Sequence, residues 1–383
     1  MDVRHHETPL FRNVTLLSIL LLVTWFIYLC PDSRAQRVAS RNLFPVCAEG
    51  RVRGYIDKTG KIIIPPNFEA VSDFSGGLAR VKIKGKLGFI DETGKIIVEP
   101  AFDFAEDFSE GLAAVAMRPR NNVYPAWGYI DRSGVFVVKP QYSFAGSFSF
   151  ERAVIVALKA NRWGVIDQTG QIIVKARYKF VSKYSEGLAA IRVGDKYGYI
   201  NLAGQVVIKP TLRGYGNFSE GLALVGLGKI QDGYIDKTGQ VILRVPERSE
   251  AGPFSEGLAP FKVRSGIAGC GYIDKTGQMA LEPKFIDCGE FSEGLASVRF
   301  NESSDRVHYI DRTGRIIIST FFTLGFAFRG GMATVHAGTG GVPGYCRGGS
   351  LSLGLALTQT HAALVTLPGL SPNRWTSARL RAL

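Results

Sequence analysis

The chain alternates apolar and polar residues in short, recurring bursts. Ala79, Val81 and Ile83 take one side of such a burst and Arg80, Lys82 and Lys84 the other. Ala189, Ile191 and Val193 repeat the pattern around Arg192, and Ala296, Val298 and Phe300 repeat it around Arg299. Period-two alternation predicts a strand with one buried face. A short turn, Lys84 to Lys86 or Val193 to Lys196, leads into a second stretch, Gly-Tyr-Ile-Asp. Lys/Arg-Thr-Gly then turns the chain into a third, such as Lys61-Ile62-Ile63-Ile64. Asp accepts a hydrogen bond from the backbone two residues on, and Gly supplies the positive φ that closes a hairpin. Pro65, Pro100, Pro140, Pro210 and Pro283 fall where this third strand is expected to end, because proline cannot donate to a ladder. No helical period appears between Gly54 and His336. Each burst therefore predicts a three-stranded antiparallel meander.

The meander is rewritten along the chain. Copies of Gly-Tyr-Ile-Asp-Lys-Thr-Gly begin at Gly54, Gly88, Gly128, Gly164, Gly233 and Gly271, with a degraded copy at Gly198 and an eighth at His308. Their starts are 34, 40, 36, 34, 35, 38 and 37 residues apart. A second signature, Phe-Ser-Glu-Gly-Leu-Ala, keeps the same beat at Phe108, Phe218, Phe254 and Phe291, with looser copies at Phe74, Phe148, Tyr184 and Phe328. Such a period marks a repeat array. The expected fold is all-β: about eight three-stranded antiparallel meanders over residues 52–338, stacked as an open superhelical solenoid. The alternative is an eight-bladed β-propeller, which eight units permit but whose blades normally hold four strands.

The recurrent aromatic-Gly-aromatic-Ile-Asp-x-x-Gly, clearest at Trp127-Gly128-Tyr129 and Trp163-Gly164-Val165, resembles the WG-repeat family of bacteria. Arg53, Leu87, Tyr197, Asp232, Cys270 and Val307 stand where that pattern has tryptophan, and His308 stands for a glycine. The resemblance implies an all-β repeat array used as a binding module in exported or envelope-associated proteins, with no established active site to transfer.

Composition changes this picture at the ends. Of the net charge of +13, seven positives follow Asp311, the last acidic residue. Residues 1–311 carry only +6, with no Lys/Arg run interleaved with aromatics, so no nucleic-acid partner is expected. At the start, Arg4 and Arg12 precede an apolar run from Val14 to Leu29, then Pro31 and Ser33-Arg34-Ala35. This is the layout of a secretory signal. Sixteen residues at ~1.5 Å each reach about 24 Å, short of a ~30 Å hydrocarbon core. Residues 1–35 are thus read as a signal peptide or, if uncleaved, a signal anchor and sole membrane contact. Residues 36–51 are read as a linker, and the array as extracytoplasmic, periplasmic or secreted. Cys270 and Cys288 share a repeat; a disulfide is conceivable, and two buried small hydrophobes is the preferred reading. Residues 339–383 hold no Asp, Glu, Lys or Phe and no recognisable strand pattern, where the rhythm calls for a ninth unit. Asp-Arg-Trp-Gly codons read one base late give Thr-Gly-Gly, as at Thr339-Gly340-Gly341, so the tail is read as out-of-frame sequence. A native Leu-rich tail is the alternative.

Catalytic and metal signatures are missing from the sequence. Asp57, Asp91, Asp131, Asp167, Asp236, Asp274 and Asp311 come one per repeat, too few oxygens for calcium, and read as turn formers. His308, His336 and His361 lack zinc spacing, and no nucleophile elbow or phosphate loop occurs. No catalytic residue, metal or cofactor is assigned. The binding candidates are the rings after each glycine: Tyr55, Phe89, Tyr129, Tyr199, Tyr234, Tyr272 and Tyr309. They form either a ligand-stacking ladder or, as the preferred reading, staples between repeats. The function expected is a non-enzymatic scaffold or ligand-binding array in the cell envelope, with a protein, peptide or glycan partner. An enzyme with a site assembled between repeats and a purely structural envelope protein are the alternatives.

Overall fold

The computed structural model of the chain describes residues 43–47, 53–59, 61–118, 125–158, 160–228, 231–263, 269–300 and 306–320, parts of 324–336, and 355–358 and 361–364. All belong to one unit, Asn42–Leu383. The apolar run within 1–35 lies outside the described residues, among which no helix is long and apolar enough to cross a membrane.

The fold is all-β, a tandem series of antiparallel meanders. The second repeat shows the plan: strands Ala70–Val71, Leu78–Ile83, Lys86–Asp91 and Ile96–Phe102, hydrogen-bonded in that order. Three of these are the strands the alternation predicts. The fourth, at the front, is only two residues long and pairs Ala70 with Lys82 and Val71 with Val81. Phe104–Ala105 and Phe180–Val181 do the same in their units. Two residues carry no readable period, which is why the sequence predicted three. Four strands are the normal complement of a propeller blade, so strand count no longer separates the two expected arrangements.

The prolines do not end the third strand. Ile62–Phe68 runs through Pro65 and Pro66, and Ile96–Phe102 through Pro100. Each is absorbed in a bulge: Leu87 pairs with Phe102 but Phe89 with Val98, so the partner advances four residues for two. The bulge folds over the glycine between them. A Cβ on Gly88 would sit 2.5 Å from the Val98 carbonyl oxygen, and one on Gly271 2.3 Å from that of Leu281. This glycine is required by close backbone approach, not by a turn. At Gly233 and His308 the bulge is missing and the third strand, Val241–Arg244 or Ile316–Ser319, ends opposite that position.

The Asp-x-Thr-Gly turn is as predicted. Asp91 Oδ1 accepts from Thr93 N at 2.9 Å, Thr93 Oγ1 at 2.6 Å and Lys95 N at 3.1 Å, and Gly94 takes φ 88°. The Phe-Ser-Glu-Gly loop is a second hairpin turn, of two residues, with Glu110 at φ 53° and Gly111 at φ 87° between bridged Ser109 and Leu112. A glutamate in the left-handed region is costly unless held. Here the next loop holds it: Glu186, Glu220 and Glu256 accept from the N–H of Gly221, Gly257 and Gly294 at 3.0–3.3 Å. Each loop serine also donates to the next loop's aromatic carbonyl, Ser185 to Phe218 and Ser219 to Phe254 among them.

Two segments depart from expectation at the ends. The span read as a linker contains strand Phe44–Cys47, which pairs with Arg53–Ile56 and buries Leu43 and Val46. The second strand of a meander needs a partner on each side, and this segment supplies it without the loop signature that made the others legible. The 339–383 tail holds a hairpin, Leu355–Thr358 with His361–Leu364, where the sequence showed no strand pattern. Cys270 and Cys288 are joined in a disulfide, correcting the reading of two free buried thiols.

Candidate functional site

The seven rings singled out in the sequence lie in the core. Tyr55, Phe89, Tyr129, Tyr234, Tyr272 and Tyr309 have no accessible surface and Tyr199 keeps 1%. Each ring packs against the aromatic of the following loop, Tyr55 on Phe74 and Tyr272 on Phe291 at 4.8 Å, Phe89 on Phe108 at 4.6 Å. The hydroxyls of Tyr55, Tyr129, Tyr199, Tyr234 and Tyr272 donate to carbonyls 17 or 18 residues on, at 2.6–2.8 Å. Burial pushes these phenols above their ordinary range. They staple one repeat to the next, and no ligand can stack on them in the folded chain.

A different aromatic row reaches the surface. Trp127, Trp163 and Tyr197 precede the glycines, two residues before the stapling position and on the same strand face, but at the strand's rim. The short leading strands contribute Phe104, Phe144 and Phe180 between them, Phe144 from the end of Phe136–Ala145. The rings follow one another without a break: Phe104–Trp127 6.1 Å, Trp127–Phe144 6.0 Å, Phe144–Trp163 5.4 Å, Trp163–Phe180 5.4 Å, Phe180–Tyr215 5.0 Å and Tyr215–Tyr197 5.0 Å between centroids. Neighbouring planes are tilted by 33–57°. Trp127 is nearly buried at 9%, the middle members are half-buried, and Tyr215 is 38% exposed. The row stops where the position before the glycine holds Leu87 on one side and Asp232 on the other.

Cations flank this arcade. The Arg118 guanidinium lies 5.5 Å from the Phe104 centroid and Arg192 5.6 Å from that of Tyr197. Arg177 sits over Tyr178, whose ring is in the cluster beneath Phe144 and Trp163. Arg118 N donates to Asp103 Oδ2 at 2.7 Å; that bond, with Lys86, holds the Asp103 carboxyl below its ordinary range. Arg192 Nε is buried and has no hydrogen-bond partner among the described residues. The stretch that carries the rings, residues 104–215, holds fifteen Lys/Arg and eight acids, with the whole excess in its second half, 158–215. Among the described residues no group of three or more His, Cys, Asp and Glu is placed to hold a metal ion. The surface can offer apolar ring faces and guanidinium groups to an extended ligand.

The family comparison fits this architecture. The pattern described as WG containing repeat matches residues 54–86, 88–118, 127–155, 163–197, 197–229, 233–265 and 271–302, more than half of the chain. The chain belongs to that family. The unit opening at His308 lies beyond these matches yet forms strands Val307–Ile310 and Ile316–Ser319. Among solved structures, a eukaryotic initiation factor is similar at 14% identity and a TM-score of 0.50, over 73% of this chain and 84% of that one. BamB from Moraxella catarrhalis is similar at 11% identity and 0.44, over 70% and 93%. The likeness to the initiation factor is one of fold, of the β-propeller type. No curated protein matches the sequence.

Proposed function

We propose that this chain is a non-catalytic repeat scaffold, working outside the cytoplasm, that holds a partner on the Phe104–Tyr215 arcade. The carrying observation is the arcade itself. Aromatic rings that could have been buried like the staples are instead lined up at a rim, confined to adjoining repeats and bordered by arginines. Export is supported by the N-terminal apolar run and by the Cys270–Cys288 disulfide, since such bonds persist mainly in oxidising compartments. Two of the four tryptophans, Trp127 and Trp163, lie in the row, so bound partner would change intrinsic fluorescence. The test is retention of the chain on envelope material, comparing wild type with Trp163→Ala. Retention that is lost in the variant, with an unchanged melting curve, is the expected result. Equal retention of both forms would remove the arcade as the binding surface.

A further inference from the structure

We infer that the arcade binds an anionic polysaccharide, a chain of acidic sugars lying along the rings with its carboxylates on Arg118, Arg177 and Arg192. This rests on the arcade being the binding surface and adds the chemical class of its ligand. Three properties of the surface point the same way.

The first is repetition. Rings recur at 5.0–6.1 Å along the row, from three successive pairs of strands. A surface that presents the same group again and again fits a ligand that does the same. A polymer of acidic sugars has, in every unit, an apolar C–H face and a carboxylate held at a fixed distance from it. The second is charge. Arginines lie over rings at both ends of the row, Arg118 at Phe104 and Arg192 at Tyr197. A guanidinium already stacked on a ring is oriented to receive a carboxylate in plane. Residues 104–215 hold fifteen bases and eight acids, and the excess, which lies in 158–215, adds attraction at longer range beside the Trp163–Tyr215 half of the row.

The third property separates this ligand from other anionic polymers. Single-stranded nucleic acid is held by stacking whole bases on exposed ring faces. Here the rings touch one another at tilts of 33–57°, so no slot opens between them and each shows only part of a face. Sugar C–H groups tolerate partial, tilted faces, because each contact is local and non-planar. An acidic peptide supplies carboxylates but no recurrent apolar face coupled to them, and would leave the rings uncovered.

The test uses the purified chain and four probes of similar length: an oligogalacturonate, a neutral cello-oligosaccharide, oligo(dT) and polyglutamate, each titrated by tryptophan fluorescence and by calorimetry. The oligogalacturonate is expected to bind at least tenfold more tightly than the other three and to weaken as salt is raised. Trp163→Ala and Arg192→Gln are each expected to lower its affinity about tenfold. Tyr215→Ala, at an exposed position that costs the fold little, gives the same reading should Trp163→Ala melt early. Tighter binding of oligo(dT), polyglutamate or the neutral sugar overturns the inference. So does oligogalacturonate binding that the three substitutions leave unchanged, since that would be ion exchange elsewhere on the chain. If envelope material is retained in a Trp163-dependent way while the oligogalacturonate does not bind, the arcade stands as the binding surface and the ligand class falls. If neither depends on Trp163, both fall.

Discussion

Two residues of each repeat do work that their type alone does not announce. The glycine before the aromatic sits under a bulge, where a Cβ on Gly271 would meet the Leu281 oxygen at 2.3 Å and Glu282 and Pro283 backbone at 2.9 Å. Backbone cannot rotate away, so Gly271→Ala is expected to destabilise by roughly 3 kcal/mol or more in a chemical melt. The turn aspartate is more replaceable. In the degraded repeat Asn201 already takes its place, accepting from Ala203 N at 3.1 Å and Gln205 N at 2.9 Å. Asp274→Asn should therefore cost under about 1 kcal/mol, and a loss equal to that of Gly271→Ala would show the turn to be misassigned. What asparagine cannot copy is the pH dependence. A hydrogen bond from the following Thr hydroxyl is the main cause that lowers the carboxyls of Asp57, Asp167, Asp236 and Asp274 below the ordinary 3.8. A lowered folded value means stability that is present above 3.8 and lost as pH falls through the folded value. Thermal melts should thus fall with pH below that point, and less steeply when several of these positions carry asparagine. Exposure keeps each contribution small.

Between elements, the loops and turns show an exchange that one strand cannot reveal. Lys237 reaches Glu186 and Lys275 reaches Glu220, both at 3.0 Å, each turn serving the loop before last. The loops themselves continue into a buried leucine, Leu188, Leu222 and Leu258. In one place the two are swapped. The turn holds Leu202, packed on the cluster of Val154, Val174 and Tyr184, and the loop holds Arg152, whose Nε donates to Leu202 O at 2.9 Å and whose Nη1 donates to Glu151 O at 2.9 Å. An open hollow of about 530 Å³ beside Glu110, Phe150 and Glu151 marks the site. Arg152→Leu and Leu202→Lys are each expected to destabilise, and the double variant to recover most of the loss. A coupling of about 1 kcal/mol or more in a double-mutant cycle is the expected reading, and simple additivity would refute the exchange. The sequence made the repeat, the Asp-Thr-Gly turn and the all-β class legible, because each depends on residues a few positions apart. It preferred staples for the rings after each glycine and did not single out the row before it. Trp127 and Tyr129 have the same parity on one strand, so alternation places both on the inner face, and only the neighbouring repeat decides that Tyr129 is buried while the Trp127 row reaches the rim. The bulge over glycine and the two-residue strands were hidden for the same reason: both are made by pairing, not by local pattern.

At the scale of the whole array, the relation between loop and turn carries a count. A Cβ on Gly77 would lie 3.3 Å from the Arg132 guanidinium, and one on Gly257 3.2 Å from that of Arg312, each turn lying two repeats beyond its loop. The eighth loop repeats this with the first turn, since a Cβ on Gly331 would lie 3.8 Å from Lys58 Nζ. The first turn thus takes the place of a tenth, which leaves one position, the ninth, between the eighth turn and the first. Strands Leu324–Gly325 and Val335–His336 open that ninth repeat, and among the described residues no Gly-Tyr-Ile-Asp hairpin follows them. The sequence rhythm breaks at the same point, after Gly338. Replacing residues 339–383 with a copy of the hairpin spanning 271–288 should therefore complete the ninth repeat with neighbours on both sides. A gain of about 2 kcal/mol would raise the melting temperature by roughly 3 °C. The location of the gain is the sharper reading. Hydrogen exchange should slow not only in residues 307–319, next to the graft in sequence, but also in residues 53–68 at the far end of the array. Protection confined to the eighth repeat would mean that the contact between Lys58 and the last loop does not join the two ends, and that the array is open.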